Sequence, residues 1–367
     1  MKILIDKAAI ENAAQMLSKV IATKHVVPIL GDILCEVKGD SMAMTASDNE
    51  IRLKTTIALN QSDGDGSFCV PSRRLTDALM QMPDGDITFI IEDGVLTIKT
   101  GSGETYFPTD NADEYPLPTS DEMGETITID GDLLTGAIKR SLWAAANDGI
   151  RVVMNSIFFA MNDGHLEVVA SNGMVLAKSQ YTMEAESDRQ FIMPKKVAGI
   201  LQGMLPNEPI NIEWGNNWAR MEFAQNTMTF RLIEGPYPKY NVVIPTNQPL
   251  GATVYSLDIL TALRRVLPFG ASDSRMVKLE FTEGKLTVRA EDTCLAMGAH
   301  DTINTDYHQQ PMTIGISGGY LCDLITKLET DRITIQFGSP DKPLTICPAE
   351  QSEGCKVTML QMPMKLA

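Results

Sequence analysis

Gln190-Phe191-Ile192-Met193-Pro194-Lys195-Lys196-Val197 is the stretch from which the fold is read: a strand-like apolar segment, then a proline that opens an amphipathic helix. Two more stretches share the pattern, Ser67-Phe68-Cys69-Val70-Pro71-Ser72-Arg73-Arg74-Leu75 and Met312-Thr313-Ile314-Gly315-Ile316-Ser317-Gly318-Gly319-Tyr320. Pro71, Pro194 and Ser317 follow one another at intervals of 123 positions. Proline suits the first helical turn, where its missing N–H has no partner to lose, and serine can act as an N-cap. The three positions are therefore expected to do one structural job.

Working outward, each of these helices is followed by a turn and an alternating strand: Ile87-Thr88-Phe89-Ile90-Ile91, Ile210-Asn211-Ile212-Glu213-Trp214 and Ile333-Thr334-Ile335-Gln336-Phe337. Period-two alternation marks half-buried strands. A second helix is expected earlier in each copy, over 6–20, 132–146 and 257–268, on apolar spacing such as Leu133, Leu134, Ala137, Ile138 and Leu142. Hairpin turns fall between the two helices at Gly39-Asp40, Asp163-Gly164 and Glu283-Gly284. Each copy reads β-α-β-β-β-α-β-β-β, an α+β unit. The acidic or proline-rich connectors place the domains at 1–121, 122–247 and 248–367. Copies of such a unit expose sheet edges unless neighbours cover them, so an elongated or ring-like array is expected.

The chain has 367 residues, 44% of them hydrophobic, which is too long for one core and too apolar for a disordered protein. Its net charge of -16 argues against a polyanionic partner until the charge is located. The six helix windows, 6–20, 71–82, 132–146, 194–205, 257–268 and 317–328, hold eleven bases against six acids, a net of +5, while the rest of the chain carries -21. Four windows contain an adjacent basic pair: Arg73-Arg74, Lys139-Arg140, Lys195-Lys196 and Arg264-Arg265. Basic pairs on amphipathic helices are commonly just a solvated face; their return in successive copies points instead to a basic surface that attracts phosphate without reading sequence.

Catalytic patterns are absent. His25, His165, His300 and His308 sit in unrelated segments, and no GxSxG, HExxH or P-loop accompanies them. Asp63-Gly64-Asp65-Gly66 lacks the spacing of a calcium loop, and the six cysteines form no CxxC pair. No cofactor and no metal are expected. The N-terminal apolar run, Met1 to Ile5, ends too early for a secretory signal, and the expected location is cytoplasmic, away from any membrane. The tail, Met359-Leu360-Gln361-Met362-Pro363-Met364-Lys365-Leu366, stays apolar where most chains fray, so it is expected to dock in a core or line a groove.

Pro28-Ile29-Leu30-Gly31, Val70-Pro71-Ser72-Arg73, Arg151 through Asn155, Glu234-Gly235-Pro236-Tyr237-Pro238-Lys239-Tyr240 and Met362-Pro363-Met364-Lys365-Leu366 occur in an order and spacing by which the chain resembles the bacterial DNA polymerase III β subunits, the sliding clamps, along its full length. The resemblance implies a head-to-tail homodimer closing a ring around double-stranded DNA. Twelve helices at about 10 Å spacing would leave an opening of roughly 28 Å, wide enough for the duplex. It implies DNA contacts at Lys24, Arg73 and the Asn147-Asp148-Gly149 loop, with the basic pairs facing the hole; Asp148 is an unfavourable charge there. It also implies a groove for short motifs from the replicative polymerase, the clamp loader and repair polymerases. That groove falls on Met154, on Ser171, Gly173, Met174, Val175 and Leu176, on Pro238, Val242 and Val243, and on Leu344, Leu360, Met362, Pro363 and Met364. Met174 and Val175 stand where the family often has His-Arg, which makes the wall more apolar. The subunit interface would pair the strand at Tyr106-Phe107 with the helix end at Pro268-Phe269. Competing readings are a carboxylate-dependent hydrolase, supported only by scattered Asp residues, and a repeat scaffold that does not bind DNA.

Overall fold

The computed structural model describes residues 1–22, 27–117, 123–183 and 188–366. One element order runs through the chain three times: strand, helix, four strands, helix, three strands, with a two-residue strand, Gln61–Ser62, added between the helices of the first copy. The six α-helices of the described residues are α1 (Lys7–Ser18), α2 (Ser72–Gln81), α3 (Gly131–Ser141), α4 (Lys195–Leu201), α5 (Ser256–Val266) and α6 (Gly318–Leu328). Between the helices of each copy lies one strand more than the sequence pattern suggests: Ile51–Ala58, Val175–Thr182 and Met297–Asn304. The last, MGAHDTIN, is half exposed and carries little apolar alternation, and Val175–Thr182 begins with three consecutive buried residues. Neither gives the period-two signal cleanly.

Pro71 and Pro194 end their strands and hand the chain to α2 and α4, and Ser317 does so for α6. They sit one step before the helix rather than in its first turn, and the Ser317 side chain makes no capping bond. What α1 needs is supplied elsewhere: the Asp6 carboxylate accepts from Ala9 N at 2.9 Å, and Ile10, Ala13, Ala14 and Leu17 form its buried stripe.

The described residues group into two compact units. The first, Met1–Leu134 with Ile200–Leu232, holds a five-stranded sheet and an eight-stranded sheet. Four of the eight strands come from the first copy and four from the middle copy, joined where Asn226–Arg231 pairs with Ile51–Ala58 in the register Met228 to Leu53. The second unit, Thr135–Gly199 with Ile233–Ala367, repeats the device: Val175–Thr182 pairs with Cys355–Gln361, Leu176 opposite Leu360. Its other sheet has four strands, with Met297–Asn304 outermost. Each fused ladder satisfies backbone groups that would be open edges in an isolated copy. No described helix is long and apolar enough to cross a membrane.

Candidate functional site

The groove is built on the outer face of the eight-stranded sheet of the second unit. Residues directly opposite in an antiparallel ladder share a face, and adjacent rows face opposite ways. Ser171, Leu176, Leu360 and Thr345 form one row; Val175, Gln361 and Leu344 form the next and therefore point to the other side. Gln361 confirms the assignment, because its Nε2 reaches the Ser317 carbonyl at the entry of α6, 2.7 Å away. The floor is thus Phe158, Ala160, Val169, Leu176, Ile192 and Leu360, with Val153, Ile233, Tyr237, Tyr240, Ile244 and Met362 half-buried against it. Val242, 81% exposed, and Val243 and Met174, both exposed, form the rims.

The sequence reading of the groove is corrected at two positions. Val175 is 1% exposed and Leu344 fully buried on the inner face, so both support the groove from behind and line none of it. Ser171, Met154, Met362, Pro363 and Met364 are half-buried, and Gly173 and Pro238 exposed. The reading missed Tyr237, Tyr240, Val153 and Ile244, although the first two lie in a motif it had singled out.

Backbone bonds fix the rims. Asn172 Oδ1 accepts from Met174 N at 2.9 Å and Val175 N at 3.0 Å, and Gly173 turns with φ 87°, a conformation that favours glycine. Met362 N donates to Met174 O at 2.8 Å, and Met364 N to Gly315 O at 2.7 Å. A Cβ on Gly315 would lie 2.8 Å from both Met364 O and Leu366 Cδ2, so glycine is what lets the tail lie flat there. Pro340, Asp341, Pro363, Met364, Lys365 and Leu366 line a further depression beside it.

The Asn147-Asp148-Gly149 loop ends close by. Asp148 accepts from the Arg151 and Ile150 amides and from the Arg151 guanidinium, 2.7 Å at Nη2, and these donors hold its carboxyl below the usual range. Arg151 Nη1 then donates to Asn172 O at 3.0 Å. The charge read from sequence as unfavourable for phosphate is answered within the loop, and the loop is tied to the rim.

The basic pairs divide. Arg73, Arg74, Lys196, Arg264 and Arg265 are exposed, as is Asn147. Lys139 is paired with Glu329, and Arg265 with Asp301 at 2.9 Å. Exposed pairs of this kind contribute only about 0–1 kcal/mol, so phosphate can displace the carboxylate. Arg140 and Lys195 are turned inward, which corrects their assignment to the phosphate face: Arg140 Nη2 meets Tyr181 Oη at 2.8 Å, and Lys195 Nζ donates to the carbonyls of Ala145 at 2.8 Å and Ala146 at 3.3 Å. Burial lowers the Lys195 pKa, while the carbonyls it caps hold the chain entering the 147–149 loop. Lys24 lies outside the described residues. Among the expected interface residues, Tyr106 is 72% exposed on the outermost strand of the five-stranded sheet, Phe269 43% exposed, and Pro268 exposed. Phe107 is 6% exposed and belongs to its own core.

The described residues thus combine three copies of an α+β unit, an apolar groove closed by the chain's own tail, and exposed helix cations. Among the described residues no group of His, Cys, Asp and Glu could hold a metal. Three domain profiles of one family match in order: the DNA polymerase III beta subunit N-terminal domain over residues 1–119, its central domain over 128–239 and its C-terminal domain over 241–365. The chain belongs to the DNA polymerase III beta subunit family. It is 26% identical over 360 residues to a beta sliding clamp of Caulobacter vibrioides, covering 94% of this chain and 95% of that one. The crystal structure of the DNA polymerase III beta subunit of Thermotoga maritima matches with a TM-score of 0.92 at 25% identity, each chain fully covered. A Pseudomonas aeruginosa sliding clamp bound to griselimycin matches with a TM-score of 0.94 at 23% identity, again over the whole of both chains.

Proposed function

We infer that this chain is a DNA sliding clamp: two copies join head to tail, close a ring around duplex DNA, and hold the replicative polymerase and other DNA-processing proteins on it. It is a processivity factor and catalyses nothing. The reading is carried by family membership along the whole chain; the groove floor formed by Leu176 and Leu360 supports it as the place where partners attach. Encirclement replaces affinity. Contacts confined to phosphates leave the ring free to slide, whereas base-edge bonds would pin it at particular sequences. Arg73, Arg74, Lys139, Asn147, Lys196, Arg264 and Arg265 supply those contacts, an exposed ion pair giving up its carboxylate for phosphate where there is one. Clamp loader, polymerase subunit and repair polymerases would share the groove through short motifs. With Met174 and Val242 on its rims, apolar peptide side chains contribute more to binding than carboxylates. Domain limits of 1–121, 122–247 and 248–367, drawn from the acidic and proline-rich connectors, and a cytoplasmic location complete the proposal; the C-terminal family match begins a few residues earlier, at 241.

The test is topological. Loaded on closed circular DNA, the protein is expected to stay bound in moderate salt and to be lost on linearisation as rings run off the ends. Equal retention on circular and linear DNA sinks the proposal.

A further inference from the structure

The groove wall that carries Val242 and Val243 is a single short turn, Tyr240–Val242, inside irregular chain. A turn of that length has few backbone bonds with which to hold its place. Burial does not hold it either, since Val242 is 81% exposed and Val243 48%. The wall is pinned from beneath. The Tyr240 hydroxyl donates to Glu167 Oε2. Lys178 Nζ lies 2.5 Å from Glu167 Oε1, donates to Asn241 Oδ1 at 3.2 Å and stands 5.4 Å from the centre of the Tyr240 ring. The Glu167 and Lys178 side chains are only 10% and 15% exposed. Their neighbours are apolar: the Tyr240 ring meets Phe158 and Tyr237 edge-on, at 6.1 and 6.3 Å, and those two rings stack at 4.8 Å.

An ion pair on an apolar sheet face carries a desolvation cost that hydrophobic residues would avoid, so it adds little to stability by itself. What this pair does geometrically is reach up to two successive residues of the wall. We propose that Glu167, Lys178 and Tyr240 are positioning residues of the partner groove. They set the Val242–Val243 wall against the Leu176–Leu360 floor before a peptide arrives, and so lower the ordering cost of binding. The inference rests on the groove reading given above and adds to it residues that need not touch the peptide. Burial, with Glu167 beside it, pushes the Tyr240 hydroxyl up, so it remains a donor at neutral pH.

Tyr240→Phe keeps the ring and removes the donor; Glu167→Gln keeps a carbonyl acceptor for the lysine and presents an amide N–H from which the Tyr240 hydroxyl can accept instead. A fluorescein-labelled hexapeptide bearing leucine and phenylalanine serves as probe for the full-length protein. Tyr240→Phe is expected to weaken it about three- to tenfold, the range of one net hydrogen bond, and Glu167→Gln less than about twofold. Hydrogen exchange at the Val242 and Val243 amides, bonded to the carbonyls of Lys239 and Tyr240, is expected to rise in Tyr240→Phe while the Met362 amide keeps its protection. Wild-type affinity and wild-type exchange in Tyr240→Phe overturn the proposal. So does uniform loss of protection across the unit, which would mark a merely structural bond. If removal of residues 362–367 from the wild type leaves the probe bound, the groove reading itself fails and the positioning role falls with it.

Discussion

Asp32, 6% exposed at the start of the Asp32–Lys38 strand, has Asp110 beside it. Burial, then a hydrogen bond to Asp110, then the Asp110 charge raise its pKa to about 7. Its Oδ2 is buried and meets no donor among the described residues, which disfavours the ionised form. Cys69 and Tyr115 complete the surroundings, with the Cys69 thiol pushed up to about 12 by burial and the Tyr115 hydroxyl donating to Asp32 O at 3.5 Å. A carboxyl whose pKa is raised on folding stabilises the fold fully below its unfolded value, near 4, and loses that contribution as pH climbs to about 7. Protection of the Cys69 and Asp110 amides, each bonded to the other's carbonyl at 3.0 Å, is therefore expected to fall between pH 4 and 7 and level off above. The loss should be on the order of a few kcal/mol, and Asp32→Asn should flatten the profile. A wild-type profile flat over the same interval would refute the raised Asp32 pKa. None of this is legible in sequence, because Asp32 and Asp110 meet only through the fold. The helix cations were legible as a count, yet Arg140 and Lys195 look no different in one dimension from Arg264.

At the scale of elements, periodicity located the repeat, its helices and its hairpins, but the face of a strand is settled by its neighbour. Leu176 and Val175 are equally apolar, and only the pairing of Leu176 with Leu360 puts one on the groove and the other behind it. Tyr237 and Tyr240 were passed over because irregular chain has no period from which an inward face can be read. The tail carries the element-scale prediction. Met362 N and Met364 N tie it to Met174 and Gly315, so removing residues 362–367 strips one wall while the Cys355–Gln361 strand remains. Calorimetry with short apolar peptides is expected to show at least about a tenfold loss of affinity, or roughly 1.4 kcal/mol, with the dimer intact. Affinity equal to that of the full chain would place the partner site elsewhere.

For the whole molecule, the open edges matter most. Among the described residues, no strand covers the outer side of Glu104–Pro108 in the five-stranded sheet or of Met297–Asn304 in the four-stranded one. The turn holding Phe269 packs on the latter. Such edges invite pairing, and a second copy offers the complement of each. Sedimentation at micromolar concentration is expected to give dimer mass for the wild type and monomer mass for Tyr106→Asp with Phe269→Asp, since each exposed ring would become a charge to be desolvated at the contact. Monomer mass for the wild type would remove the ring. Phe107, buried in its own core, is no place for that test. The two fused ladders carry a further consequence. Repetition divides this chain into thirds, but packing divides it into two units, because the middle third lends four strands to a sheet of each neighbour. Cutting off either end copy halves one eight-stranded sheet, and isolating the middle copy halves both, so a single repeat excised from this chain would carry raw strand edges where its neighbour had been.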